Sequence, residues 1–584
     1  MIKKSSNSSR AEAKVREEIL KLIKAALAKD FNESLISLDY PPDSKMGDLS
    51  LPCFLLAKKL KISPVDAAKN LAVKIKPRGL VKTAVAAGPY LNFFVSAKDF
   101  SQLVLTEVAK EKNTYGQTKI GQGQKVMVEY FSPNTNKPLT IGHARNICLG
   151  DSLARLLKFA GYQVIRSTLY NDRGIAIAKT ILGYQKWGNG QTPDQAELKP
   201  DHFVGNFYVQ LAQAAKKDPA LEKQARQVLQ AWEKNNQEIK KLWRELMDWV
   251  IAGFRQTLEK LGVAKFDEEY FESQYYKQGK KVVAKGLAKK VFVKDKEGVI
   301  LAPLEKYGIA DKIVLRPDDT SLYITQDLYL AYLKDKHHLD ASVYVVGSEQ
   351  DLYFKQLFKI LELLGFKNAK NYHHLSYGMI RLSSGKIKSR EGLVKGTGAD
   401  ELIAELQDLA QAEIKKRDKE ISAKDLAQRA QQIALAALKF YILVVNPKTT
   451  MIFEPKKSLA FTGRTGPYLQ YVYARINSIF AKTKIKPETK VDFEVLDNEL
   501  EFELVRLLSR FPQIINQAVA RLDPADLANY LFDLAQAFSS FYETLPVLKA
   551  EEKVKKVRLL LIADVQIVLA IGLELLGIEA PEKM

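Results

Sequence analysis

Residues Lys125–Arg166 read KVMVEYFSPNTNKPLTIGHARNICLGDSLARLLKFAGYQVIR. The apolar run Val126–Val128 is typical of a buried strand, and two prolines then interrupt regular structure. Apolar residues recur at helical spacing until Gly161, after which a second strand pattern begins. Strand, loop, helix and strand in this order form half of a parallel nucleotide-binding sheet, so the loop Ser132–His143 should face a ligand.

The residue types in this loop suit a phosphate. Gly142 has no side chain, so a ligand can approach the backbone closely. His143 lies at a predicted helix N-terminus, where free N–H groups favour an anion, and Lys137 adds a positive charge nearby. A lone Gly-His pair is more often an ordinary turn, but this strand–loop–helix context favours a nucleotide site.

The segment Thr140–His143 resembles the HIGH signature of class I aminoacyl-tRNA synthetases. The longer string VEYFSPNTNKPLTIGHARN, Val128–Asn146, is similar to the arginyl-tRNA synthetase version. One position departs from the signature, because Thr140 replaces its first histidine. The phosphate contact expected of that histidine is therefore either lost or taken over by the threonine hydroxyl.

A second segment, Gly385–Gly392, reads GKIKSREG and places three cations between glycines. Such a loop can close on a triphosphate and neutralise charge as pyrophosphate leaves. Alone it is more often a basic surface turn, but beside the His143 loop it favours catalysis. It resembles the KMSKS signature, with Ser389 in place of the second lysine, and Lys137 matches the lysine that compensates in arginyl enzymes.

This resemblance implies roles for individual residues. The residues implied in catalysis, by stabilising charge, are His143, Lys137, Lys386 and Lys388. The residues implied in ATP binding are Ser132, Thr140, Gly142, His143, Gly347, Lys386 and Lys388. Mg²⁺ is expected to accompany the ATP phosphates.

A site for arginine needs carboxylates that accept the planar, permanently charged guanidinium. Glu129 ends the first strand and Asp327 lies in the segment YITQD, although both could be solubilising charges at strand ends. The residues that the resemblance assigns to arginine are Glu129, Asn134, Tyr323, Asp327 and Gln350. Lysine or citrulline would leave such carboxylates partly unpaired, at a cost on the order of 10⁴-fold in specificity, so no editing domain is required.

Composition limits the partners. The 584 residues include 89 basic and 68 acidic ones, a net charge of +21 that suits a polyanion such as RNA. The two cysteines offer neither a disulfide framework nor a metal cluster, which is typical of a cytoplasmic protein. The pairs His337-His338 and His373-His374 lack a carboxylate motif, so no protein-bound metal is expected. No secretory signal is visible, and acidic residues interrupt the apolar run Leu559–Ile578, which predicts a buried helix and no membrane contact.

The chain length predicts several domains, α/β and all-α. Residues 1–115 should form an α+β domain that, by resemblance, contacts tRNA. Residues 116–375 should form a class I Rossmann-like catalytic domain with insertions at about 185–310, and 376–434 the signature loop and a stem-contact region. Residues 435–584 should form a helical-bundle anticodon-binding domain. Within the catalytic domain we expect a small β region at Glu272–Leu301 and sheet strands at Ile313–Arg316 and Leu322–Thr325.

The string FTGRTGPYLQYVYAR resembles the arginyl anticodon-binding domain. Its aromatic and basic side chains could stack on splayed bases, although aromatics at this spacing are more often core. The residues assigned to tRNA are Tyr468, Tyr471 and Arg475.

The sequence therefore resembles a monomeric arginine–tRNA ligase that uses ATP, L-arginine and tRNA(Arg). Three alternatives remain at this point: a class I synthetase for another amino acid, a non-catalytic RNA-binding protein on a synthetase scaffold, and a nucleotidylyltransferase that shares the fold.

Overall fold

The computed structural model describes residues 9–28, 31–318, 320–382 and 398–584. The α-helices in these ranges are α1 Arg10–Leu27, α2 Phe54–Leu60, α3 Pro64–Lys74, α4 Ala97–Glu111, α5 Ile141–Phe159, α6 Ile175–Trp187, α7 Pro200–Lys217, α8 Ala220–Glu233, α9 Gln237–Lys260, α10 Glu272–Tyr275, α11 Gly279–Ala288, α12 Tyr323–Asp335, α13 Asp351–Leu364, α14 Ala399–Arg417, α15 Ala423–Leu443, α16 Pro455–Ser458, α17 Gly466–Phe480, α18 Glu499–Arg521, α19 Ala525–Thr544 and α20 Glu552–Leu575. The strands are β1 Leu49–Pro52, β2 Val81–Ala87, β3 Tyr90–Val95, β4 Lys125–Glu129, β5 Gln163–Tyr170, β6 Glu268–Phe271, β7 Val293–Lys294, β8 Ile300–Ala302, β9 Lys312–Leu315, β10 Ala341–Gly347, β11 Tyr372–Tyr377, β12 Ile380–Leu382 and β13 Met451–Phe453.

A five-stranded parallel sheet, in the order β11-β10-β4-β5-β6, lies at the centre of the chain. Strand β4 occupies the middle, and its apolar residues Val126–Val128 are buried, as expected of a strand with helices on both faces. Helix α5 connects β4 to β5, so the half-unit predicted from Lys125–Arg166 is present as predicted. The carboxyl ends of β4 and β10 lie side by side, where ligands bind in such sheets.

One predicted β region is smaller than expected, and one predicted strand is wrong. Segment Glu272–Leu301 begins with helices α10 and α11, and its β structure is confined to the short strands β7 and β8 at its end. Leu322–Thr325 is the start of α12, because Thr325 Oγ1 accepts the Leu322 N–H at 2.9 Å and caps the helix despite the β-favouring residue types. Strand β9 exists, but it pairs antiparallel with β8 in a separate three-stranded sheet, order β7-β8-β9.

The two ends of the chain pack against each other. The antiparallel sheet β1-β3-β2 and helices α1–α4 form an α+β unit, and α17–α20 form a helical bundle. Arg506 of α18 donates to Asp48 Oδ1 at 2.6 Å, and Tyr40 donates to Gln513 at 3.0 Å across this contact. No helix in the described ranges combines the length and apolarity needed to cross a membrane.

Helix α20 buries a carboxyl group without a partner. Asp564 is fully buried, and neither of its carboxylate oxygens has a hydrogen-bond partner among the described residues. Burial raises the pKa of this carboxyl well above its usual range. The pKa of Asp564 is higher in the folded state than in the unfolded state. The free energy of unfolding is therefore highest, as far as Asp564 is concerned, below about pH 4, and it falls as the pH rises toward the folded-state pKa.

Replacing Asp564 with leucine should raise the free energy of unfolding at pH 7 by about 1–3 kcal/mol, since a buried unsatisfied polar group is removed. The side chain borders a cavity of about 540 Å³, which leaves room for the larger residue. Urea unfolding at pH 5 and pH 8 measures the effect, and the gain should be larger at pH 8. The exposed Asp497→Leu is the control, and equal stability of wild type and Asp564→Leu at pH 8 would contradict the expectation.

Candidate active site

The N-terminus of α5 holds His143 in one protonation state. Thr140 donates its backbone N–H to His143 Nδ1 at 3.0 Å, and its hydroxyl oxygen lies 2.9 Å from the same nitrogen. Burial, and then the charge of Lys137, lower the pKa of His143 to about 4, so the ring is neutral at pH 7. Because Nδ1 accepts the backbone N–H, Nε2 carries the proton and can donate to a ligand. The Thr140 hydroxyl therefore faces His143.

Arg145, two residues further along α5, joins the helix to two distant segments. Its guanidinium is fully buried and donates to four backbone carbonyls, those of Gly378 (2.7 Å), Met379 (3.1 Å), Pro447 (3.0 Å) and Thr449 (2.8 Å). Burial lowers the pKa of Arg145 to about 10. These bonds fix the segment that leads into β12 relative to His143.

The neighbouring Asn146 joins the carboxyl ends of three strands. Its Oδ1 accepts the Phe131 N–H at 2.5 Å, and its Nδ2 donates to Val345 O at 2.6 Å and to Tyr377 Oη at 3.2 Å. The sequence argument assigned no role to Arg145 or Asn146. The available signal was two polar residues within an otherwise apolar helical face.

A cavity of about 450 Å³ opens at the start of α5. The residues predicted to bind ATP that line it are Ser132, Thr140, Gly142, His143 and Gly347. A Cβ built on Gly142 would meet only Thr140 Oγ1, at 3.5 Å, so the backbone is open to a close approach. The predicted residues Lys386 and Lys388 lie outside the described residues.

Lys137 is half-buried, and burial lowers the pKa of its ammonium group. Its charge acts on His143, which lines this cavity. Helix α7 packs against its backbone at Gly205, where an added Cβ would lie 3.3 Å from Lys137 Cα and 2.6 Å from Pro138 Cδ. The inserted helices therefore set the position of the segment that carries this lysine.

A second cavity, of about 760 Å³, adjoins the first. Its wall contains all five residues predicted to bind arginine: Glu129, Asn134, Tyr323, Asp327 and Gln350. Tyr323 and Asp327 are four residues apart at the start of α12 and so share one helix face. Ser132 and Val346 line both cavities, so a ligand in one can meet a ligand in the other.

The two carboxylates of the second cavity have different surroundings. Asp327 opens into the cavity but lies deep in the protein, and burial raises the pKa of its carboxyl to about 6, while a hydrogen bond from the Tyr353 hydroxyl opposes that rise. Glu129 is buried, and its Oε2 lies 2.5 Å from the ammonium of Lys334. Sequence reasoning missed both Tyr353 and Lys334.

Comparison with known proteins identifies the family. Family models match residues 13–95 (Arginyl tRNA synthetase N terminal domain), 104–454 (tRNA synthetases class I (R), catalytic domain) and 469–584 (DALR anticodon binding domain). The arginine–tRNA ligase of Treponema denticola is 42% identical over 533 residues, 88% of this chain and 89% of its own. The chain belongs to the arginyl-tRNA synthetase family.

Other arginyl-tRNA synthetases agree with this placement. The Treponema pallidum arginine–tRNA ligase is 39% identical over 94% of each chain. The solved arginyl-tRNA synthetase of Thermus thermophilus matches with a TM-score of 0.82 and 26% identity, over 98% of this chain and 100% of that one. The predicted resemblance, enzyme class and fold, with a Rossmann-like domain between an N-terminal α+β domain and a C-terminal anticodon-binding bundle, are confirmed.

In the bundle that matches the anticodon-binding domain model, the three residues predicted to contact tRNA have different surroundings. Tyr471 and Arg475 line a groove of about 920 Å³, where the Arg475 guanidinium lies 4.5 Å from the Tyr471 ring centroid and 5.0 Å from that of Tyr542. Tyr468 instead packs between helices, and its hydroxyl lies 2.9 Å from Ser539 Oγ. The geometry favours Tyr471 and Arg475 for a base contact over Tyr468.

One group of side chains in the described ranges has the spacing of metal ligands: Asp201, His202 and Asp400. The Lys199 ammonium lies 2.9 Å from Asp201 Oδ1 and 2.8 Å from Asp400 Oδ2, so a cation of the protein already bridges these carboxylates. Asp400 lies in the first turn of α14, so the cluster ties α7 of the insertion to α14.

Proposed function

We propose that the protein activates L-arginine with ATP and transfers the arginyl group to the 3′-terminal adenosine of tRNA(Arg). The observation that carries this proposal is the pair of adjoining cavities, one at the signature helix and one containing buried carboxylates. Ser132 and Val346 border both, so the carboxylate of an amino acid in the second cavity can reach a nucleotide phosphate in the first.

In the first step an arginine carboxylate oxygen attacks the α-phosphorus of ATP. A new P–O bond forms, the bond to pyrophosphate breaks, and pyrophosphate leaves with its electron pair. His143 donates a hydrogen bond from Nε2 to a phosphate oxygen. Lys137, Lys386 and Lys388 neutralise charge on the phosphates. Mg²⁺ would enter with ATP as part of the nucleotide substrate. No covalent intermediate with the protein is needed.

The charged groups of arginine are recognised by complementary side chains of the second cavity. Asp327 receives the guanidinium, with Tyr323, Asn134 and Gln350 placed around the rest of the molecule, and Glu129 completes the wall. A neutral analogue would leave the Asp327 carboxylate unpaired, which supports selectivity without an editing domain.

In the second step the 2′-hydroxyl of the terminal adenosine attacks the arginyl carbonyl, and AMP leaves. We assign tRNA contacts to residues 1–115, to the stem-contact region 376–434, and to the groove at Tyr471 and Arg475 within 435–584, with Tyr468 as the weaker candidate. The net charge of +21 supports a polyanionic partner. Segment 116–375 carries the chemistry together with Lys386 and Lys388 of the signature loop in 376–434. The enzyme acts as a monomer in the cytoplasm.

Pyrophosphate exchange tests the proposal directly. Labelled pyrophosphate should enter ATP with arginine and with none of the other nineteen amino acids, and only when total tRNA is present. Exchange with a different amino acid would retain the enzyme class and reject the substrate. Exchange at full rate without tRNA would reject the tRNA requirement, and no exchange from folded, tRNA-binding protein would favour a non-catalytic RNA-binding role.

A further inference from the structure

A buried ion pair lies in the wall of the amino acid cavity. Lys334 is 2% exposed, and its ammonium lies 2.5 Å from Glu129 Oε2 and 4.2 Å from the centroid of the Tyr344 ring. Neither charged atom has a further hydrogen-bond partner among the described residues. Removing one member of such a pair is costly, because the other charge remains buried and unpaired.

The charges of the cavity wall can be compared with those of the substrate. Three carboxylates and two ammonium groups line it: Glu129, Asp311, Asp327, Lys312 and Lys334. With all five ionised, the wall carries one net negative charge. Free arginine carries one net positive charge, from two cationic groups and one carboxylate, so wall and substrate match.

We propose that Lys334 is a specificity-determining residue, which cancels the charge of Glu129 and leaves Asp327 as the carboxylate available to the guanidinium. The inference rests on the proposed function and deepens it. The charge of Glu129 is balanced permanently by Lys334. Among the described residues, Asp327 has only the neutral donor Tyr353, and its charge is balanced when the substrate binds. Two uncompensated carboxylates in one buried site would repel each other, and one would take up a proton.

Several groups act on the Asp327 carboxyl. Those facing it are Glu129 of β4, Glu272 and Tyr275 of α10, Lys334 of α12, Tyr344 of β10 and Tyr353 of α13. Burial and then the charge of Glu129 raise the pKa of Asp327, while the Tyr353 hydrogen bond and the charge of Lys334 lower it, and the net pKa is about 6. The Lys334 charge thus keeps Asp327 ionised near neutral pH.

Three variants test this role: Lys334→Met, Glu129→Gln and the double variant. In arginine- and tRNA-dependent pyrophosphate exchange at pH 7, Lys334→Met should raise KM for arginine about tenfold or more, with kcat changed far less. On the acidic side, kcat/KM should fall at an inflection pH set by Asp327. This inflection should move up by about one pH unit in Lys334→Met and should move down in Glu129→Gln. The preference for arginine over citrulline, an analogue with an uncharged side chain, should fall about tenfold in Lys334→Met.

The double variant separates charge from folding and from direct binding. It replaces the pair with neutral side chains of similar size, so KM and the citrulline ratio should recover most of the change seen in Lys334→Met, and the inflection should move back toward its wild-type pH. Lys336→Met, at an exposed position after α12, is the matched control and should behave as wild type.

The outcomes are distinguishable. If the wild type is active and Lys334→Met has the same KM, inflection and citrulline ratio, the inference about Lys334 is overturned and the proposed function stands. A double variant that stays as impaired as Lys334→Met also overturns it, and would make Glu129 a direct ligand of the substrate. A wild type that activates no arginine overturns the proposed function, and this inference with it.

Discussion

Replacing Lys137 with alanine should lower kcat for arginine-dependent pyrophosphate exchange by about 10²-fold or more, the scale for losing one charge-stabilising donor in a transition state. Lys137 is half-buried, and its charge reaches His143 strongly enough to lower the pKa of that ring. A partly desolvated ammonium interacts more strongly with developing phosphate charge than an exposed one. KM for arginine should change little, since Lys137 does not line the arginine cavity.

Lys158→Ala is the matched control, because this exposed lysine lies in the last turn of α5, the helix that begins with the signature. It should leave kcat unchanged. Lys137→Arg keeps the charge and should retain more activity than Lys137→Ala. An unchanged kcat in Lys137→Ala would remove this lysine from the mechanism.

The central half-unit of the fold could be predicted from one stretch of sequence because the apolar patterns that specify it are local. Strand β4, helix α5 and strand β5 follow one another within Lys125–Arg166, and each has its own period of apolar residues. The five arginine-site residues were instead assigned through the resemblance to the arginyl enzymes, because they are far apart in the sequence. They lie at strand and helix ends, which a parallel sheet brings to one edge.

The failures have physical causes. Leu322–Thr325 has β-favouring residues, but the Thr325 hydroxyl caps a helix instead, so a single side-chain bond outweighs weak propensities. The bonds of Arg145 reach carbonyls 233 and more positions away, and no sequence period reports such pairs. In the sequence, Lys334 is an ordinary polar residue near a helix end. Its contact with Glu129 exists because the sheet places Glu129 opposite it.

Asp327→Asn should lower kcat/KM for arginine by about 10²–10³-fold, since truncating one partner of a buried charged pair costs roughly 2–5 kcal/mol. The loss should appear in KM, because Asp327 is the residue proposed to hold the substrate and does not line the cavity predicted for ATP. Wild-type kcat/KM should fall as the pH drops through the Asp327 pKa of about 6, since the guanidinium requires the carboxylate. That inflection should be absent in Asp327→Asn.

Tyr353→Phe removes the hydroxyl donor and leaves the Asp327 carboxylate in place. Since the bond from Tyr353 lowers the pKa of Asp327, its loss should move the inflection to higher pH, with a smaller fall in kcat/KM at pH 8 than at pH 6. Asp335→Asn, at the exposed end of the same helix, should leave both parameters unchanged. If Asp327→Asn retained both the wild-type KM and the inflection, the guanidinium would have to bind another carboxylate of the same cavity. That carboxylate would be Asp311, or Glu129 once the substrate had displaced Lys334 from it.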